Sequence, residues 1–304
     1  MKKFLAVLSA TVMTMSLLTA CGGSGAAPAE AETQEAAAPE AEAETQEAAA
    51  PEAEAETQEA AAPEAEAETA PETDAAGSAA LADGVLTVGT NAEFPPFEYV
   101  GDDGEPDGFD VALIKAIGEK LGVTVEVENM EFDSLVASIG NKIDVAIAGM
   151  TVTDERKNSV DFSNSYYDAV QYVIVPEGSE IAAFDDLAGK AIGVQLGTTG
   201  DFIASDDVEG ASVSQYNKAV DAVNDLINGR VDCVIIDKNP ALVFESKFSG
   251  QVKAIDGAQF DFGVENYAIA LPKGDAVLAD QINQALEELK ADGTFDKLVE
   301  EYIG

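Results

Sequence analysis

Two segments of this chain repeat one pattern. "SIGNKIDVAIAGM" (138–150) and "LINGRVDCVIID" (226–237) each carry a helix end, a Gly/Asn turn, a basic residue, an apolar residue, an aspartate (Asp144 or Asp232) and an apolar strand. Strands this apolar are buried on both faces, and recurring strand–helix units build parallel sheets. The neighbouring sequence keeps the rhythm. "GVLTVGT", "VTVEVENM" and "IDVAIAGM" read as strands separated by helices at "FDVALIKAIGEKLG" and "FDSLVASIGNK", and "KAIGVQ" and "VDCVIID" flank a helix at "AVDAVNDLING". Leu113, Ile114, Ile117 and Leu121 share one helix face before a closing glycine, as do Val220, Val223, Leu226 and Ile227. The tail adds two helices, with Leu278, Ile282, Leu286 and Leu289 at helical spacing. The expectation is an α/β fold of two similar lobes, with ligands gathering beyond the carboxyl ends of the strands.

The globular composition begins late. Residues 1–20, "MKKFLAVLSATVMTMSLLTA", place Lys2 and Lys3 before a short apolar run and small residues, the pattern of an export signal. Leu18, Thr19, Ala20 and Cys21 resemble a bacterial lipobox, which makes Cys21 the lipid-bearing (palmitate-type) first residue of a mature chain anchored to the extracytoplasmic face of the cell membrane. Residues 21–82 are dominated by "TQEAAAPEAEAE", repeated with prolines at Pro39, Pro51 and Pro63. Proline breaks each alanine- and glutamate-rich run before it is long enough to be a stable helix in water, so the segment reads as a disordered acidic tether spanning on the order of 45 Å. Residues 83–304 form the folded part.

Composition excludes several chemistries. With no histidine, no histidine-based triad exists, and Cys21 and Cys233 stand too far apart for a zinc site. A net charge of -42 argues against nucleic acid, which requires clustered cations. The acids of "DDGEPDGFD" do not keep EF-hand spacing and read as a hairpin turn. Neither a metal nor another cofactor is expected. Cys233, inside "VDCVIID", reads as a small buried apolar side chain.

Four stretches at strand ends carry the candidate chemistry. In "AGMTVTDERK" (148–157), Gly149, Met150 and Thr151 precede Thr153, which suits a helix cap, and Arg156, one of two arginines in the chain. Free N–H groups at a helix start, with a guanidinium, make a receptor for a small carboxylate. In "IIDKNP", Pro240 at a first helical position makes Asn239 the expected cap and leaves Asp237 without structural duty, so it is expected to find a cation. "GVQLGTTGDF" offers Thr198 and Thr199 but lacks the lysine of a phosphate loop. In "TNAEFPPFEY", Phe97 reads as core and Phe94 as a wall at the strand's carboxyl end. An anion receptor, a cation receptor and an aromatic wall match an α-amino acid zwitterion, whose two charges must both be paired once removed from water.

These residues resemble the polar amino-acid solute-binding proteins of bacterial ABC importers. "FPPFEY", "GFDVALIKAI", "AGMTVTDERK", "VDFSNSYY", "GVQLGTTG" and "IALPKG" occur in that family's order. The resemblance implies a two-lobed periplasmic-binding-protein type 2 fold, each lobe a mostly parallel sheet flanked by helices, joined by two hinge strands near 166–170 and 263–267. Lobe one would cover about 84–165 and 268–304, and lobe two about 171–262. It implies that Arg156 grips the ligand carboxylate with Thr151 and Thr199, and that Asp237 and the Gly149 carbonyl take the ammonium. Phe94 and Phe132 would pack on the side chain, Asn91, Glu93 and Gln195 would face its tip, and Met150 and Thr198 complete the set. The implied partners are a free amino acid and a membrane permease, with the protein a monomer. Lysine/arginine-binding and glutamine-binding relatives carry an aspartate near the first strand's end where this chain has Asn91, so a basic ligand loses its counter-charge unless Glu93 supplies one.

The same fold also resembles cyclohexadienyl (arogenate) dehydratases, where an acid such as Glu93 would assist departure of a hydroxyl; a sensor domain is a further alternative. The signal and tether favour capture for transport over both. We predict that Cys21→Ser releases the protein into the medium; recovery of the variant in the detergent fraction would contradict lipid anchoring.

Overall fold

The computed structural model describes residues 78–304; the signal, Cys21 and the tether up to residue 77 lie outside the described residues. Residues 78–82, expected to belong to the tether, instead form a short 3-10 turn (Ala79–Leu81). The turn is docked on the folded part, where the Ser78 hydroxyl donates to Asp275 at 2.7 Å.

The first lobe starts with β1 (Val85–Thr90), a small flap of β2 (Glu93–Phe94), β3 (Glu98–Val100) and β4 (Pro106–Asp107), then α1 (Phe109–Leu121) and β5 (Thr124–Asn129). It continues through α2 (Leu135–Ser138), β6 (Val145–Ala146), α3 (Asp154–Lys157) and β7 (Val160–Phe162). β8 (Tyr167–Pro176) enters the second lobe, followed by β9 (Ala191–Gln195), α4 (Thr199–Phe202), β10 (Ser212–Tyr216), α5 (Ala219–Ile227), β11 (Cys233–Asp237), α6 (Lys238–Lys247) and β12 (Val252–Ile255). β13 (Val264–Tyr267) leads back to β14 (Ala270–Pro272), α7 (Ala276–Ala291) and α8 (Thr294–Leu298).

The first sheet has the order β5-β1-β6-β14-β7 and the second β10-β9-β11-β8-β12. In each, four of the five strands run in one direction, as expected, and one runs against them. β1, β5, β6 and β7 point one way in the first sheet and β9, β10, β11 and β12 in the second, while β14 and β8 run antiparallel to their neighbours. The lobes are joined by two strands, where 167–170 of β8 pair with 264–267 of β13.

Sequence periodicity explains the helices that clamp the first sheet. α1 buries Leu113, Ile114 and Ile117 against Leu86 and Val88, and it closes on Gly122 in the left-handed region at φ 72°. α7 buries Leu278, Ile282, Leu286 and Leu289 in the same core, each such side chain contributing roughly 1.5–3 kcal/mol on burial. The helix expected over "FDSLVASIGNK" shrinks to a 3-10 turn (Phe132–Ser134) and one α turn, because Ile139 is extended and bridges to Ile143 around Gly140. β6 keeps only Val145 and Ala146 in its ladder, and beyond it the Ile147 N–H still donates to the Gly89 carbonyl at 3.0 Å while Thr151 bridges to Tyr267.

Gly257 follows β12 and packs so closely on β8 that a side-chain methyl there would run into the Gln171 carbonyl oxygen. We predict that Gly257→Ala costs about 1–3 kcal/mol through a forced backbone shift, read as a fall of several degrees in the calorimetric melting temperature. An unchanged melting temperature would contradict the packing described.

Candidate functional site

The ends of β1, β6, β9 and β11 converge on a partly open pocket. Asn91 and Phe94 reach it from the β1 side, and Phe132 from the 3-10 turn before α2. Ala148, Gly149 and Thr151 follow β6, and Arg156 lies on α3. Gln195, Thr198 and Thr199 arrive from β9 and α4, and Asp237 from β11. The sequence-expected ligand residues thus meet at one place, with two departures. Met150 points into the apolar cluster with Leu135 and Val160, and Glu93 is ion-paired at 2.5 Å to Lys218 of the second lobe, outside the cavity wall.

Arg156 is placed by a one-turn helix whose cap is Thr153, the threonine hydroxyl accepting from the Arg156 N–H at 3.1 Å. Its guanidinium donates to the Thr151 carbonyl at 2.6 Å and, across the cleft, to the Gly197 carbonyl at 2.9 Å, and lies 5.4 Å from the Phe132 ring centre. The side chain is buried, and among the described residues no carboxylate oxygen comes within 4.0 Å of it. Burial lowers its pKa to about 10, with the charges of Glu265 and Asp237 opposing that drop.

Asp237 is the opposite case. It is buried at the end of β11 and accepts from the Tyr267 hydroxyl at 2.6 Å, with no basic side chain forming an ion pair with it among the described residues. Burial pushes its pKa up to about 7, and the nearby Glu265 charge adds to the rise. Asn239 is not the expected cap: α6 already starts at Lys238, Pro240 falls inside its first turn, and the Asn239 amide donates to the Tyr167 hydroxyl at 2.9 Å.

Between these charges the backbone turns at Gly149, at φ 52°, with the Phe94 ring 3.0 Å from where a Cβ would stand. The Gly149 N–H donates to Asp110 at 2.7 Å, and the same carboxylate oxygen accepts from the Tyr166 hydroxyl at 2.7 Å. Glu98 lies fully buried beside this pair, and burial together with the Asp110 charge holds its pKa well above the ordinary carboxylate range. Elsewhere on the wall, the Gln195 amide donates to the Asn91 side-chain oxygen at 2.8 Å, another bond across the cleft. Glu265, from hinge strand β13, accepts from the Thr151 hydroxyl at 2.6 Å and the Thr199 hydroxyl at 2.8 Å, touching both lobes.

Sequence reasoning missed Ala148, Asp110, Tyr267 and Glu265. Asp110 reads in sequence as an ordinary first-turn acid, and only its burial distinguishes it. Glu265 and Tyr267 carried one usable signal, their position on an expected hinge strand.

The model for bacterial extracellular solute-binding proteins, family 3, matches residues 86–304. The chain belongs to that family. A probable histidine-binding protein of Neisseria gonorrhoeae is 34% identical over 235 residues, covering 76% of this chain and 87% of the relative. The L-cystine-binding protein TcyJ of Escherichia coli K12 is 35% identical over 224 residues, covering 73% and 83%. Among solved structures, an ancestral arginine-binding protein bound to arginine superposes with a TM-score of 0.67 at 42% identity, covering 73% of this chain and 99% of that one. Family members are, by that description, extracellular solute-binding proteins.

The raised pKa of Asp237 has a stability consequence with a definite sign. A carboxyl whose folded-state value is raised imposes no penalty below its ordinary range, and destabilises increasingly as pH climbs from there through about 7. We predict that Asp237→Asn raises the ligand-free melting temperature more at pH 8 than at pH 4. Equal shifts at both pH values would show that the buried carboxyl is not strained.

Proposed function

We infer that the chain is the extracytoplasmic capture component of an ABC importer for a free, polar L-amino acid. The observation that carries this reading is that Arg156 and Asp237, two buried charges of opposite sign and neither ion-paired among the described residues, face one cavity. A zwitterion satisfies both at once. Its carboxylate would lie on the guanidinium, with the Thr151 and Thr199 hydroxyls turning to it from Glu265, which accepts from both in the ligand-free protein, and its ammonium on Asp237 and the Gly149 carbonyl. Each buried ion left without a partner costs several kcal/mol, so supplying both partners is a large differential gain for the closed form. The groups come from both lobes, so the ligand favours closure by contacting both halves.

The relatives named for histidine, cystine and arginine binding support an amino acid as the solute. Glu93, the acid considered for assisting a dehydration, is held by Lys218 outside the cavity. The chain then acts without catalysis or cofactor, as a monomer that hands its ligand to a membrane permease. The Cys21 lipid and acidic tether would keep it at the extracytoplasmic face within reach of that permease.

Arg156→Ala should abolish amino-acid binding in isothermal titration calorimetry, a loss of at least 100-fold, while the domain still melts cooperatively. Retained micromolar affinity in that variant would rule the assignment out.

A further inference from the structure

The hinge carries a carboxylate of its own into the site. We propose that Glu265 is an internal competitor of the ligand: in the ligand-free protein it occupies the Thr151 and Thr199 hydroxyls and ties the two lobes through them, and binding displaces it. This rests on the amino-acid reading above and adds a built-in restraint to it.

Hydrogen-bond accounting is the first argument. A threonine hydroxyl has one O–H to give. Thr151 gives its own to Glu265 Oε2 at 2.6 Å, and Thr199 gives its own to the same oxygen at 2.8 Å. A ligand carboxylate only accepts, so it gains either hydroxyl only after that hydroxyl has turned away from Glu265. What then remains on Glu265 Oε2 is the Gln171 amide at 3.4 Å, too long to replace two short bonds. These contacts are therefore exchanged on binding and not added, and the ligand's carboxylate is left beside a second one of the same sign.

Placement is the second argument. β13 sets Glu265 opposite Ala169 of β8, and Tyr267, two residues on, bridges to Thr151, which brings the acid to the seam between the lobes. Thr151 follows β6 of the first lobe and Thr199 opens α4 of the second, so one oxygen at the pivot joins both. Gln171 donates to the Thr199 hydroxyl oxygen at 3.0 Å, which turns the threonine proton towards Glu265. Among the described residues no basic side chain forms an ion pair with Glu265, so its charge is spent on the site itself. It supports the Arg156 cation and opposes ionisation of Asp237.

Calorimetric titration of full-length wild-type protein and Glu265→Gln with each of the twenty common L-amino acids tests the competition. The amino acid that wild type binds most tightly should bind Glu265→Gln about tenfold more tightly, because the like charge beside its carboxylate is gone and the shape is kept. A residue that only supports the fold moves affinity the other way, so equal or weaker binding by Glu265→Gln would overturn the proposal. Hydrogen–deuterium exchange on the ligand-free protein tests the tie between the lobes. In Glu265→Ala, amides of 149–153 and 196–202 should exchange about fivefold faster or more, with α1 and α7 unchanged. Unchanged exchange in those two segments, or faster exchange throughout, would overturn the tie. Failure of wild type to bind any of the twenty would overturn the amino-acid reading, and the exchange result would still decide for or against Glu265.

Discussion

A guanidinium held out of water with only carbonyl oxygens and an aromatic face as neighbours is the constraint around which the cleft is organised. Arg156 reaches this position because a threonine cap fixes a one-turn helix at the point where the chain leaves the first sheet. Its two carbonyl acceptors belong to different lobes, so the plane of the fork is set only when the lobes meet. The stacked Phe132 ring stabilises the cation without neutralising it. Asp237 poses the mirror problem across the same space, and the mutual attraction of two such groups is what a dipolar molecule intercepts.

Much of this was legible because it is local. Helix faces, the Thr153 cap, the Phe97 core position and the suspicious idleness of Asp237 all follow from spacing within a few residues. The misreadings have long-range causes. β14 returns from residues 270–272 to pair antiparallel with β6 and β7, the one strand of its sheet that runs against the other four. Met150 shares with Ala146 and Ala148 the face that packs on Leu135 and Val160, so it lies in the core instead of the cleft. Glu93 is claimed by Lys218, 125 residues away. No window of sequence contains that pairing.

Behind the cleft, Asp110 links features that chain order keeps apart. Placed in the first turn of α1, it holds the Gly149 backbone and the Tyr166 hydroxyl at once, and Glu98 from the flap lies against it. Burial and the neighbouring Asp110 charge raise the Glu98 pKa, the expected response of two carboxyls buried side by side. The floor of the site, the first helix and the entry to the hinge are therefore one polar unit inside an apolar core.

β8 is a single ten-residue strand shared between joint and lobe. Its first residues pair with β13, and from Gln171 onward the ladder passes to β11 and then β12 without a break. A ribbon continuous through the joint resists shear, because sliding would have to break every rung together, yet it bends and twists at little cost. The second lobe is thus free to swing but not to slip sideways, and each return stroke brings Gly197 back to the same guanidinium.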